Sequence, residues 1–376
     1  MYFLVYPSRR PVYNTDMKIL YVTRKFPPTV GGMENVAAWL YEALKDRADI
    51  KLIKFGGANK WLPLVFPWLT LRALLTGWIF RPDVIYVQDG LMGAATPIFR
   101  ILLRRPVVAT IHGTEMVYKN PLYVKTVIPA LKRLNAAAVI SRATEDKVQG
   151  KLPAVPTQLV HWGVHDDWYL EDRTTARNKL GEYLGLDLAN RPLIILVGRL
   201  IERKGALWFV ENVVPSLRAD IPNLACVVAG KGKDFEAITA AVERLGLQES
   251  VYLPGYVLGD NLKYLYNAAD LFVMPNRHGF GFEGFGMVVT EATSCGTPAV
   301  IGEYSGVTDA VIDGVTGWLV PVDEVKPYLE KIVNEVKTPT LDRAKIRAAT
   351  LEAYDWDKTA EAYLQLFSDT VESFKK

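Results

Sequence analysis

Gly279-Phe280-Gly281-Phe282-Glu283-Gly284-Phe285-Gly286-Met287-Val288-Val289-Thr290-Glu291 sets four glycines among two carboxylates that stand eight positions apart. The apolar run before it, residues 270–274 ending at Pro275, reads as a buried parallel strand. Residues 287–295 read as a helix closed by Gly296, and 298–301 as the next strand. The loop thus belongs at the carboxyl end of a strand, where open α/β sheets bind ligands. Its glycines let backbone approach a ligand, and the helix that follows turns free N–H groups and a positive dipole end toward an anion. Glu283 falls in the loop and Glu291 about a turn and a half into the helix. Such an arrangement suits a ligand with a phosphate at its middle and hydroxyls at both ends, the shape of a nucleotide sugar. Taken alone, the stretch also fits a charged helix after a glycine-punctuated loop.

Upstream of it, alternation begins at Pro192. A strand over 193–197 runs into Gly198-Arg199-Leu200-Ile201-Glu202-Arg203-Lys204-Gly205 and then a helix. Arg199 and Lys204 flank that strand-to-helix turn, so a planar fork and a mobile point charge can meet on one phosphate; surface solvation is the alternative. The strand over 225–229 ends in Gly230-Lys231-Gly232-Lys233. Another, 251–253, leads into Pro254-Gly255-Tyr256-Val257, a turn able to hold a base through backbone groups.

In the first half, strand signals recur at 17–22, 50–55, 83–87, 107–111 and 136–140, separated by helical patterns. Strands alternating with helices predict a doubly wound parallel sheet. Gly31-Gly32 ahead of the first helix is a phosphate-approach candidate or a plain turn. His112 follows the strand 107–111 directly and so is placed either for a ligand or for structure. His161 and His165 have i, i+4 spacing with Gly163 between them, which predicts no metal site. Residues 61–80 are the most apolar region, yet Pro63 and Pro67 predict a helix confined to 68–80. That is too short to span a bilayer. Burial under the sheet is the expectation, with an interfacial helix as the alternative because bases lie nearby.

Two domains are expected from 376 residues, of which half are hydrophobic. Two cysteines in apolar settings exclude a disulfide framework and predict a reducing, cytoplasmic compartment. The net charge of +3 conceals an asymmetry: residues 1–165 hold 22 Lys+Arg against 10 Asp+Glu, a balance of +12, and the remainder is −9. The basic half points to an anionic partner, either a phosphorylated acceptor or the inner face of a membrane. No nucleic-acid motif accompanies it, so nucleic acid is not an expected partner. Residues 1–16 lack a long apolar core, are a poor signal peptide and are expected to be dispensable, with Met17 as the start. Asp355-Trp356-Asp357 reads as the N-cap of a last helix, with an anchoring Trp.

With Gly31-Gly32, His112, Arg199, Lys204, Glu283 and Glu291 in this order, the chain from Met17 onward resembles the family-4 retaining glycosyltransferases of the GT-B fold. Gly296-Thr297-Pro298 and Asp313-Gly314-Val315-Thr316-Gly317 strengthen the resemblance. It implies two Rossmann-like doubly wound domains facing across a cleft. Residues 17–165 would bind acceptor and 166–355 the nucleotide sugar, and a final helix, 356–376, would return to the first domain. By position, Arg199 and Lys204 would bind the donor pyrophosphate and Glu291 the ribose hydroxyls. Glu283, with the backbone of Gly284, Phe285, Gly286 and Met287, would bind sugar and distal phosphate. The turn at Gly230, Tyr256 and Val257 would serve the nucleotide, Gly31 and Gly32 would close on the phosphates, and His112 would contact the sugar. Where the family commonly has Asn-Gly-Val-Asp, this chain has Trp162-Gly163-Val164-His165. The approach from Arg277 to Phe282 is similar to that of members that glycosylate membrane lipids.

The implied activity is retaining hexosyl transfer to a glycan or lipid-linked acceptor for cell-surface polysaccharide or glycolipid synthesis. UDP-glucose is the first expected donor and GDP-mannose with a phospholipid acceptor the second. Fixed cations would stand in for a metal, so neither metal nor cofactor is expected, and the chain is expected to be a monomer. A catalytically silent nucleotide-sugar-binding protein is the competing function.

Overall fold

A computed structural model describes residues 16–376 apart from Val30 and Glu171, with the Asn59 side chain also outside the description. The 1–15 part of the expected extension lies outside the described residues. The chain forms two units. One comprises residues 1–163 and 355–376, and the other 164–354. Those breaks fall within two residues of the boundaries expected at 165 and 355.

In the first unit, β1 (Lys18–Thr23), β2 (Asp49–Lys54), β3 (Val84–Val87), β4 (Val107–Ile111), β5 (Ala136–Val139) and β6 (Thr157–Leu159) form one sheet in the order β2-β1-β3-β4-β5-β6. Every pairing is parallel. The central strands β3, β4 and β5 are buried along their whole length. Continuous apolar runs, not alternation, are what helices on both faces of a parallel sheet demand. The second unit repeats the plan with β7 (Leu193–Val197), β8 (Ala225–Ala229), β9 (Val251–Gly255), β10 (Leu271–Met274), β11 (Ala299–Gly302) and β12 (Gly317–Val320), ordered β12-β11-β10-β7-β8-β9 and again parallel. The strand order reverses direction between β1 and β3 in one unit and between β7 and β10 in the other, and ligands of such sheets bind at that switch.

Two edge strands, β6 and β12, carry no strong sequence signal. β6 is Thr-Gln-Leu and half-buried throughout, while β12 starts at Gly317, where a Cβ would sit 2.1 Å from the Ala299 carbonyl oxygen.

The last helix, Trp356–Lys375, belongs to the first unit. The Asp355 carboxylate caps it, accepting from the Asp357 N–H at 2.6 Å and the Lys358 N–H at 3.0 Å. Trp356 is fully buried against Gly163 and packs edge-on to Trp39. Two turns further in, a buried hydroxyl relay joins Tyr363 to Thr110 at 2.7 Å and Thr110 to Tyr86 at 2.6 Å. Tyr86 also meets the rings of Tyr363 and Phe367. The helix therefore completes the core of a unit whose other residues were made much earlier in the chain.

The expected helix over 68–80 is longer and more exposed than the prolines suggested. It runs Leu62–Phe80. Pro63 sits in the first turn, where no N–H is needed, and Pro67 forgoes one bond near that free end. Val65, Leu69, Ala73 and Leu74 enter the core of the unit. The opposite face stays open to solvent, so burial under the sheet holds for one side only.

Candidate active site

Four loops at the carboxyl edge of the second sheet, after β7, β8, β9 and β10, hold the donor-site residues expected in this unit. Val197 ends β7, and two residues on stands Arg199, exposed and with no ion-pair partner among the described residues. The chain then makes a single turn, Glu202–Lys204, closed by Gly205 at φ +77°. That turn swings Lys204 back under the loop: a Cβ on Gly198, itself at φ +138°, would lie 2.9 Å from the Lys204 Nζ. Gly230, at φ +144°, has no room for any side chain, since a Cβ there would lie 1.9 Å from the Gly198 carbonyl oxygen. Tyr256 is exposed and Val257 buried in the turn after β9.

Across the switch point, the loop after β10 brings Glu283 to the same place. The Lys204 ammonium lies 3.8 Å from the Glu283 Oε2, and the Arg203 Nη2 approaches the same oxygen at 3.0 Å. The Arg203 Nε also donates to the Phe282 carbonyl at 3.3 Å. The Glu283 backbone is pinned on both sides, its N–H donating to the Ser305 Oγ at 3.2 Å and its carbonyl accepting from the Gly306 N–H at 2.9 Å. Gly286 then starts the helix Met287–Ser294 in the left-handed region, φ +89° and ψ +55°, with no side-chain cap. The first N–H groups of that helix are therefore presented outward beside Glu283, where an anion would meet them.

Glu291, on that helix, is half-buried and accepts a hydrogen bond from the Tyr266 hydroxyl at 2.7 Å. Burial pushes its carboxyl above the ordinary range, while the Tyr266 bond and Lys204 pull it down. Burial likewise pushes the Lys204 ammonium below its ordinary value; Arg203 and Arg199 add to this, and Glu283 and Glu291 oppose it. Burial, then Glu291, raises the Tyr266 phenol well above the usual value. Cations and carboxylates are thus in electrostatic contact here with little water between them, where each charge acts more strongly than at a wet surface. A diphosphate fits the positive charge of Lys204 and the helix N-terminus, and carboxylates so placed are able to accept from hydroxyls.

The structure therefore brings Arg199, Lys204, Glu283, Gly286, Met287 and Glu291 to one sheet edge. It adds two residues that sequence reasoning missed. Arg203 stood in the quoted turn, one position from Lys204, and its neighbour drew the attention. Tyr266 lies 25 residues before Glu291 with no motif to mark it.

The remaining candidates, Gly31, Gly32 and His112, lie in the first unit. His112 follows β4 and is buried, its ring against Trp162 with centroids 5.2 Å apart. Its Nε2 lies 2.8 Å from the Gln88 carbonyl oxygen. A carbonyl only accepts, so the hydrogen is on Nε2, and in the neutral ring Nδ1 carries a lone pair. That Nδ1 is buried with no partner among the described residues. Gly31 and Gly32 begin the helix Gly32–Leu44; a Cβ on Gly31 would strike the Glu34 carboxylate at 2.4 Å, whereas one on Gly32 would meet nothing within 4 Å. Packing inside this unit does not require glycine at 32. Glu34 is held by Lys25 at 2.7 Å.

Comparison with known proteins agrees with this geometry. Residues 186–351 match the family described as Glycosyl transferases group 1, and residues 30–168 match Glycosyltransferase Family 4. The chain is 27% identical over 335 residues to the GDP-mannose-dependent alpha-(1-6)-phosphatidylinositol monomannoside mannosyltransferase of Mycolicibacterium smegmatis, covering 82% of this chain and 86% of that one. It is 25% identical to the alpha-maltose-1-phosphate synthase of the same organism, covering 93% and 99%. Among solved structures, Anabaena HepE in complex with UDP-glucose superposes with a TM-score of 0.75 at 22% identity, over 95% of this chain and 100% of that one. Both units are matched, in order. The chain belongs to the family-4 glycosyltransferases of the GT-B fold, enzymes that use a nucleotide sugar.

Proposed function

We propose that this protein transfers a hexosyl group from a nucleoside diphosphate hexose to a hydroxyl of a glycan or lipid-linked acceptor, with retention at the anomeric carbon and without a metal. The observation that carries the reading is the meeting of Lys204 and Arg203 on one Glu283 oxygen beside the N-terminus of the helix Met287–Ser294. As the bond from the anomeric carbon to the phosphate oxygen breaks, negative charge grows on the diphosphate and positive charge on the sugar. Arg199, Lys204 and the helix N–H groups are placed for the first, and Glu283 for hydroxyls of the second. The acceptor oxygen bonds to the anomeric carbon on the face the diphosphate leaves, and its proton passes to the departing phosphate oxygen. Glu291 holds ribose hydroxyls.

UDP-glucose is the first donor to test. GDP-mannose with a phospholipid acceptor is the second reading, favoured by the 27% identity to the mycobacterial mannosyltransferase. A panel of nucleotide sugars, scored by thermal stabilisation, ranks the donors, because a ligand that binds the native state raises apparent stability by mass action. The top donor should then be hydrolysed slowly without acceptor and at an unchanged rate in chelator. The anomer released, read by NMR, checks retention. Binding without any turnover would make the protein a silent nucleotide-sugar binder, and inhibition by chelator would remove the cations from their assigned role.

A further inference from the structure

The helix Leu62–Phe80 has two apolar faces, and among the described residues only one of them is packed. Val65, Leu69, Ala73 and Leu74 lie in the core of the first unit. At about 100° per residue, Leu64, Trp68, Leu71, Leu75, Trp78 and Ile79 fall within an arc of about 100° on the other side. All six are exposed, from 46% for Trp68 to 86% for Ile79. The face continues onto the helix Thr96–Leu102. The Trp78 indole N–H donates to the Leu102 carbonyl at 3.3 Å, and Gly77 abuts Leu103, which sets exposed Ile101 and Leu102 beside Trp78 and Ile79.

The charge around this face is predominantly positive, although Asp83, which accepts from the Lys18 N–H at 2.8 Å, lies beside it. Residues 50–82 and 90–114 contain eight Lys+Arg and no Asp or Glu. Three of these cations and Lys18 lie over the aromatic rings themselves: Arg72 over Trp68 at 5.3 Å, Lys60 over Trp61 at 5.6 Å, and Lys51 and Lys18 each 5.7 Å from the Phe80 centroid. Contiguous exposed apolar surface of this kind marks an interaction site. Tryptophan rings with cations beside them belong at a lipid headgroup layer, where the rings find both apolar and polar surroundings and the cations find phosphate.

We propose that this face docks on an anionic bilayer, with the helix Leu62–Phe80 lying in the plane of the interface. Its length of 19 residues would suffice to cross a membrane. Crossing would, however, strip Val65, Leu69, Ala73 and Leu74 out of the core. Pairing with a second copy about a two-fold axis would set cation against cation, whereas an anionic membrane neutralises them. The surface stands apart from the proposed reaction. Only the corollary, that the acceptor is carried by a lipid, rests on that reading.

The test is co-sedimentation of the full chain with vesicles of phosphatidylcholine alone or with about 30% phosphatidylglycerol, across a salt series. The anionic vesicles should bind at least ~10-fold more protein at low salt, with loss as salt rises. The variant L71S/L75S/I79S should lose at least ~10-fold of that binding while its melting temperature and nucleoside diphosphate affinity stay unchanged. Should that variant lose its cooperative melt, K60Q/R72Q/R104Q, which leaves the core untouched, must still weaken binding to the anionic vesicles. Equal sedimentation of variant and wild type, or no binding by wild type, overturns the proposal. So does a dimer in solution that the same substitutions dissolve without any vesicle binding. Donor hydrolysis run in parallel separates the two readings: a hydrolase that ignores vesicles overturns this one alone, and an inactive protein that binds them overturns the proposed reaction alone.

Discussion

Lys204 is half-buried beside Arg203 and Arg199. Its ammonium is pushed toward the neutral form by desolvation that Glu283 and Glu291 offset only in part, and a diphosphate would add negative charge there. Lys204→Ala should therefore reduce transfer or donor hydrolysis at least ~100-fold, on the order of 3 kcal/mol, without loss of fold. Circular dichroism beside steady-state rates checks this. Arg203 acts on Glu283, 3.0 Å away, and on the Phe282 carbonyl, so it is a positioning residue. Arg203→Ala should lower kcat/KM about 10-fold, and Arg203→Lys should recover part of it, because an ammonium keeps the charge but loses the fork. Equal rates for the two variants would show that charge and fork contribute nothing separable. Glu291 gives a pH signature. Its folded value lies above the ordinary 4.5, so above that pH the unfolded chain has already lost its proton while the folded one keeps it. The native state then binds more protons, and stability falls as pH rises through the window from 4.5 to the raised value. Glu291→Gln removes this titration. Its melting temperature relative to wild type should therefore climb between pH 4 and pH 7, which a thermal-shift series reads directly.

At the scale of elements, the site depends on how one helix begins. Gly286 holds φ +89°, and a Cβ there would lie 2.7 Å from the Val307 Cγ2. Gly286→Ala should cost about 1–3 kcal/mol, a melting shift of about 3–8 °C. It should also weaken nucleoside diphosphate binding more than the stability loss alone explains, which calorimetry at a temperature well below the melt decides. The strands that lead into these loops were legible because parallel sheets are buried on both faces and write themselves as apolar runs, as at residues 107–111 and 225–229. The short edge strands β6 and β12 were not, since an edge needs neither length nor apolarity. Proline in the region 61–80 misled for a definite reason: Pro63 falls in the first turn, where its N–H has no partner to lose, and Pro67 costs only one bond close to that end. What the sequence left silent in the site was Tyr266, because a buried hydroxyl meeting Glu291 across two helices leaves no spacing to read. Arg203 was in plain view, and only coordinates could say which of two adjacent cations reaches Glu283 first.

For the whole molecule, the first unit is assembled from two stretches separated by the entire second unit. Trp356, Tyr363 and Phe367 fill space left by residues that precede Gly163. A chain ending at Tyr354 should thus leave an open apolar trough over Tyr86 and Trp39. It should be recovered mostly in aggregates, whereas Trp356→Ala should fold with a loss of about 3–5 kcal/mol. A soluble, cooperatively melting product of the shortened gene would show that the last helix is dispensable. The same discontinuity sets an order of events during synthesis. When the ribosome has released residues up to 163, six strands are present but their covering helix is not. At about 5–20 residues per second, that helix emerges some 10–40 s later. Through this interval a nascent, half-roofed sheet exposes apolar surface to its neighbours on the polysome, so lowering chaperone supply during translation should reduce the soluble yield.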